Sequence, residues 1–484
     1  MITASVQFSH LYRHLRIDAE FYKPEYLVLE NALEKKRNLY PLRKYCNYIK
    51  KGIFDISPEL YTSEGIPLIR TSEIKNPLIN FSTTVFLDEG THGIHYKTEL
   101  KPNDIVMTKI GAYIGDIAIL PKKYDRYNFS QNVTGLSVRG STINSKYLFV
   151  FLLARFGHSQ IKRIIMLSGQ GKIELEDIRD ISVYEASDDF QSKISELVEV
   201  GQINISKSES LFKEAENIVL SELGLTNWQP KHQLIFIKNY SDTKEAGRID
   251  AEYYQPKYDE IIDAIKNYSG GWDKLDNLVR IKKNIEVGSG EYLDEGVPFI
   301  RVSNISPFEI SEEKYISESL YNKLTPQEDN ISFEKSKNHQ PKQGEILFSK
   351  DGTPGIAYYL KEQPQKMIPS GGILQLKSKT DKVNSEYLTL VLNSILTQEQ
   401  VNRDVGGSII FHWRPDQVRE TVIPILSEAK QAKIQKKVTE SFNLRKQSKH
   451  LLECAKRAVE IAIEEDEQTA IPWLKNETKE MQRN

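Results

Sequence analysis

Two hydrophobic patterns alternate along the 484 residues. Short apolar runs closed by Gly, Pro or Asn fill residues 35–185, among them PLIRTSEI, NDIVMTKI, DIAIL and TGLSV. PFIRVSNI, GEILFSK, GIAYYL and GILQL do the same in 267–425. Runs of this length between turn residues predict strands. After each β-rich stretch the period changes. From Phe190 to Leu223 there is no Pro and one Gly, and Ile194, Val198, Gly201, Ile205, Ser208, Phe212, Ala215 and Val219 step by fours and threes. This is a heptad-like seam. Ile434, Leu444, Leu451, Ala455, Ala458 and Ala462 form a comparable seam over about 428–465. Each pattern predicts a helix of about 36 residues, roughly 54 Å long. Small residues on both seams predict close antiparallel packing. The expected fold class is α+β: two β-rich domains separated by two long antiparallel helices.

The two halves are also copies of each other. RIDAEFYKPEY (16–26) and RIDAEYYQPKY (248–258) share eight of eleven positions at an offset of 232. IPLIRTSEI, KPNDIVMTKIGAYIGDIAIL, NSKYL and QSKISELV recur in the same order as VPFIRVSNI, KQGEILFSKDGTPGIAYYL, NSEYL and QAKIQKKV. A period near 240 is too long for a solenoid and marks a duplicated unit, with a pseudo-twofold arrangement expected. The predicted division is a helical segment at 1–34, a β-rich domain at 35–185, a helix at 186–223, and a linker with a second helical segment at 224–266. A second β-rich domain follows at 267–425, then a helix at 426–466 and a tail at 467–484.

Composition narrows the function classes. At 39% hydrophobic and 27% charged, the chain is of ordinary globular make-up. No apolar run reaches about 18 residues, so no membrane helix is expected. The charged start predicts no secretory signal. The two cysteines, Cys46 and Cys454, exclude a disulfide scaffold and are too few for a cysteine zinc site. A cytoplasmic location follows as the simplest expectation. Lys+Arg 65 against Asp+Glu 67 argues against a uniformly basic nucleic-acid binder. The balance is uneven, however. Residues 35–185 hold 22 basic and 15 acidic side chains, a net of +7, whereas 266–425 hold 20 and 22, a net of −2.

No Walker A loop, dinucleotide fingerprint, H-E-x-x-H, C-x-x-C or G-x-S-x-G occurs. His92 and His95 flank a glycine and read as a loop rather than a metal site. Glu174, Glu176 and Asp177 near Lys172 leave a nuclease-like site conceivable, although acidic residues at a helix start explain them equally.

Recurring polar loops at strand ends are the better candidates. Arg70, Thr71 and Ser72 follow one strand, and Arg301, Ser303 and Asn304 follow its copy. Arg forks onto phosphate or guanine edges, and Ser and Asn suit base edges. The alternative for each Arg is a carboxylate at the strand end. Lys109, Gly111, Tyr113 and Gly115 form a second loop, matched by Lys350, Gly352 and Thr353. There glycine permits close backbone approach and lysine a phosphate contact. Gln170 and Lys172, with Ser408 in the copy, precede helix starts whose N–H groups suit phosphate.

With these blocks in view, the chain resembles the specificity subunit of type I restriction–modification systems over nearly its full length. The resemblance rests on the two-unit layout, on IPLIRTSEI/VPFIRVSNI, on DIVMTKIGAYIG/EILFSKDGTPG, on NSKYL/NSEYL and on the long helix after each β-rich domain. It implies two target recognition domains, each reading half of a split double-stranded DNA sequence. It also implies two helices that set the spacing and dock two methyltransferase subunits, with restriction/translocase subunits joining where the system cleaves. The subunit itself is then non-catalytic and binds no cofactor; S-adenosylmethionine, and ATP and Mg for restriction, belong to its partners. The halves differ in the second loop, where Ala112 has no counterpart and Asp116 faces Ile356, so base contacts do not transfer between them. The competing reading is a single-chain DNA endonuclease with a site near Lys172–Asp177.

Overall fold

A computed structural model of the chain describes residues 16–166, 171–328, 331–406 and 411–481, with the side chains of 480 and 481 left aside. It is a mixed α/β structure of two compact units, Met1–Ile205 with Lys446–Asn484, and Ser206–Arg445. Both long helices form, over Asp188–Glu222 and Glu428–Glu464. The unit boundary runs through each of them rather than at their ends. The reason lies in where their apolar residues go. Phe190, Ile194 and Val198 join the core of the first unit, and Ala215 and Val219 that of the second.

In the first unit an antiparallel sheet runs in the order Tyr48–Lys51, Val133–Ser137, Ile105–Thr108, Ile117–Ile119. Its strands are covered on both faces. Ile105, Met107 and Leu136 join one cluster, while Val106, Ala118 and Val133 join another. Burial on both faces explains why NDIVMTKI reads as a continuous apolar run instead of an alternation. Beside it, Val85–Leu87 pairs antiparallel and Asn128–Phe129 parallel with the central strand Ile66–Ile69.

The second unit repeats this topology. Its four-stranded order is Val279–Lys283, Ile373–Ser378, Ile346–Ser349, Ala357–Tyr359, and Val297–Ile300 pairs antiparallel with Tyr315–Ile316 and parallel with Ile368–Pro369. The repeated sequence blocks hold this frame together. Asn144 caps Ser145–Leu153 and Asn384 caps Ser385–Asn393, each accepting from helix N–H groups. Their own N–H groups donate to Gln191 at 2.8 Å and Gln431 at 2.9 Å. The buried Tyr147 and Tyr387 donate to the carbonyls of Tyr184 and Pro424, both at 2.7 Å.

The helix seams pack antiparallel. In the second unit Lys207 pairs with Glu440, Glu214 with Lys437 and Glu222 with Lys430, one number rising as the other falls. There Ser208 and Ser441 hydroxyls meet at 2.8 Å. In the first unit Ser448 Oγ donates to the Gly201 carbonyl at 2.9 Å. The second seam therefore runs through Ser441, Arg445 and Ser448, and the predicted seam residue Leu444 is only half-buried. Among the described residues, no helix is long and apolar enough to cross a membrane.

Candidate nucleic-acid interface

Strand pairing brings three lysines of the first unit together. Lys51 ends the edge strand opposite Thr134, and Val133 beside it pairs with Thr108, one residue before Lys109. The Lys109 carbonyl accepts from Ile173 N–H at 3.0 Å, and Lys172 bridges Ile110 and Met166. Lys109 and Lys172, far apart in sequence, thus stand on adjoining loops. Burial, with Lys51 and Lys172 nearby, pulls the Lys109 ammonium below its usual pKa range against the opposing pull of Glu174. Of the three, Lys172 pairs with a carboxylate, Glu174 at 2.6 Å. A partly desolvated ammonium group with two more nearby is a site that favours an anion.

Beside them Tyr113 is half exposed, with Lys75 4.9 Å from its ring centroid. Phe54 is 71% exposed next to Lys51. Cations interleaved with exposed aromatics suit a phosphate backbone with base faces. Lys51, Phe54 and Lys75 are additions to the predicted set. The Lys50-Lys51 pair followed by Phe54 was the signal for the first two.

The second unit has the same frame with different charges. Trp413 N–H donates to the Lys350 carbonyl as Ile173 does to Lys109, and His412 stands where Lys172 does. Lys350 pairs with Asp351, and His412 Nδ1 lies 2.9 Å from the same carboxylate. One carboxylate therefore offsets the cations here. Gly352 and Thr353 are exposed beside it. The loop from Lys350 to Pro354 is one residue shorter than that from Lys109 to Ile114, because Gly115 and Gly355 bond equivalently to Thr108 and Ser349.

Other predicted residues are framework. Glu73, fully buried, accepts from Arg70 N–H, Nε and Nη2 and from Ser72 Oγ, while Arg70 Nη2 also donates to the Thr83 carbonyl. Arg70 thus takes the carboxylate alternative. Arg301 pairs with Glu313, and the buried Asn304 accepts from Arg301 N–H at 3.0 Å, so these two organise the copy of that turn. Thr71 is half-buried, and Ser303 is exposed at the tip. Gly115 has φ 90° and Gly355 φ 91°. A Cβ would come 3.2 Å from Ile161 in the first and 2.8 Å from Gln398 in the second, so both glycines let the loop close on a helix. Gly111 and Gly352 face open space. Gln170 and Ser408 lie outside the described residues. Around the alternative nuclease site, Glu174 pairs with Lys172 and Glu176 with Arg179. Asp177 is left with a carboxyl that burial pushes up.

Residues 38–219 match the family model described as the type I restriction modification DNA specificity domain. The match covers the first β-rich domain and most of the first long helix, so this stretch is similar to a type I DNA specificity domain. The matched residues contain the Lys51–Lys109–Lys172 cluster, the Tyr113 loop and the Asn144 cap. Three solved structures are similar at low identity. The type I S subunit from M. genitalium is 13% identical, covering 88% of this chain and 94% of its own, with a TM-score of 0.38. The HsdS subunit from Thermoanaerobacter tengcongensis is 13% identical, covering 88% and 96%, with a TM-score of 0.27. The type IIG restriction endonuclease BpuSI is 12% identical, covering 39% and 29%, with a TM-score of 0.27. No curated protein matches the chain.

Proposed function

We propose that the whole chain is the DNA-sequence specificity subunit of a type I restriction–modification complex, each unit reading one half of a bipartite target. The observation that carries this reading is the repetition in residues 206–445 of the frame seen in the matched specificity domain: same strand orders, same Asn caps, same Lys-Gly loop. In this reading Lys51, Lys109 and Lys172 hold phosphates, while Tyr113 and the loop tips reach base edges in the major groove. The second unit, with Asp351 beside Lys350 and His412, grips phosphate less and contributes more through direct contacts. The long helices set the distance between half-sites and dock two methyltransferase subunits, and restriction subunits join through them. The chain performs no chemistry and acts in the cytoplasm; S-adenosylmethionine, ATP and Mg are held by partners.

Mapping modified adenines by single-molecule sequencing, in cells carrying the chain or a variant, tests this. Exchanging the 350–354 loop together with His412 is expected to change one half of the modified motif and spare the other. Lengthening both helices by matched turns is expected to widen the gap. Modification unchanged by both variants would defeat the reading. Mg-dependent cutting of DNA by the purified chain alone would install the endonuclease instead.

A further inference from the structure

Outside the DNA-facing loops, three side chains of different chemistry converge in the first unit. His450 and Cys454 are one turn apart on the second long helix, and Glu477 comes from the helix Glu467–Met481. Their ligating atoms all lie within 4.8 Å of one another, and among the described residues this is the one group of three His, Cys, Asp or Glu side chains so placed. Cys454 Sγ lies 3.4 Å from His450 Nε2. Tetrahedral zinc, with Zn–N of about 2.0 Å and Zn–S of about 2.3 Å, sets such a pair roughly 3.6 Å apart.

The helix pattern explains the convergence. Ala470 and Leu474 bury one face of the C-terminal helix in the first core, and Glu477 is one turn further along that face. Cys454 is buried, whereas His450 is exposed, so the site is rooted in the core and open to solvent at one side. Burial and the carboxylates of Glu477 and Glu453 hold the thiol above its ordinary range.

We propose that His450, Cys454 and Glu477 bind one zinc-class divalent cation, which fastens the C-terminal helix to the second long helix. Thiolate, imidazole and carboxylate together are a zinc-type donor set, with water completing four-coordination. The metal–sulfur bond forms as the thiol proton leaves to solvent, so binding releases a proton. This inference is independent of how the loops read DNA.

The test uses the untagged full chain, stripped with chelator and titrated with Co²⁺ alone. The expected result is one equivalent bound, with a thiolate-to-cobalt band in the near ultraviolet, visible ligand-field bands, and bleaching on addition of Zn²⁺. Cys454→Ser should abolish the thiolate band, and Cys46→Ser should leave it unchanged. Losing an outer-shell partner already costs metal sites roughly 10- to 100-fold in affinity. His450→Ala and Glu477→Gln, which keep the thiol, should therefore weaken binding at least about tenfold. No thiolate band in the unaltered chain, a band that survives Cys454→Ser, or unchanged affinity in both ligand variants would overturn the proposal.

Discussion

Removing the Glu73 carboxylate tests whether Arg70 organises its own turn or is kept for DNA. Glu73 is fully buried, and its oxygens accept from Arg70 N–H at 2.8 Å, Nε at 3.1 Å and Nη2 at 2.8 Å, from Ser72 Oγ at 3.0 Å and from Thr83 Oγ1 at 3.2 Å. Deleting one partner of a buried ion pair costs about 3–5 kcal/mol, because the other charge is stranded. Arg70 keeps 29% side-chain exposure and its bond to the Thr83 carbonyl, so Glu73→Ala belongs at the low end, about 3 kcal/mol. Arg70→Ala strands the carboxylate but leaves it three donors, for a cost of about 2–3 kcal/mol. The double variant strands neither charge, so the two losses should fall short of additive by about 1–3 kcal/mol. For a unit of this size, a loss of about 3 kcal/mol lowers the melting midpoint by roughly 6–12 °C. Calorimetry of the four-member cycle on the full chain measures both the cost and the coupling. An unmoved midpoint in Arg70→Ala, together with a loss of target discrimination of the ~1–3 kcal/mol expected for a base contact, would refute the structural assignment.

Three further outcomes follow from the same geometry. In the assembled complex, Lys109→Gln and Lys51→Gln should each make the salt dependence of DNA affinity shallower by about 0.9 in log–log slope; Lys350→Gln, already offset by Asp351, should change it less, as fluorescence anisotropy between low and moderate salt would show. Asn144→Ala and Asn384→Ala should each destabilise their own unit by about 1 kcal/mol through loss of the helix cap, measured by denaturant unfolding. His158 is pushed down to about 4 by burial and then by Lys162 and Lys456. Its unfolded form takes up a proton below about 6.5 while the folded form does not, so the stability it confers is complete above that pH and is lost as pH falls toward about 4. His158→Gln should flatten this part of the stability–pH curve.

What was legible in the sequence was local. The long helices and the strands announce themselves through period and apolar runs within a few neighbours, whereas NSKYL and NSEYL were legible as a repeat and not as helix caps. Several partners that decide a side chain's role were not local. Arg70 finds Glu73 three residues on, but Thr83, which completes the same cluster, is brought back by the following hairpin, and Lys51 meets Lys109 only through the pairing of both strands with Val133–Ser137. Leu444 fits a heptad count on one helix, yet the contact is set by small polar residues opposite, which favour Ser441 and Ser448. The His450–Cys454–Glu477 set was hidden for the same reason: its third member lies on another helix.

Recurrence between the halves turns out to be a guide to framework more than to recognition. The features that repeat most faithfully, Asn144–Gln191 with Asn384–Gln431 and Tyr147 with Tyr387, make matched hydrogen bonds inside each unit. The recurring Arg70/Arg301 and Gly115/Gly355 also serve the frame. The differences gather where the frame opens to solvent: Ile110 against Asp351, Lys172 against His412, and a loop longer by one residue in the first unit. On the proposed function, a duplicated scaffold reading two unlike half-sites needs identical supports and unlike tips. The near-neutral charge of the chain then has a local meaning. The first unit gathers cations with little to offset them and the second carries its own counter-charge, so on the proposed function the two should contribute unequally to grip.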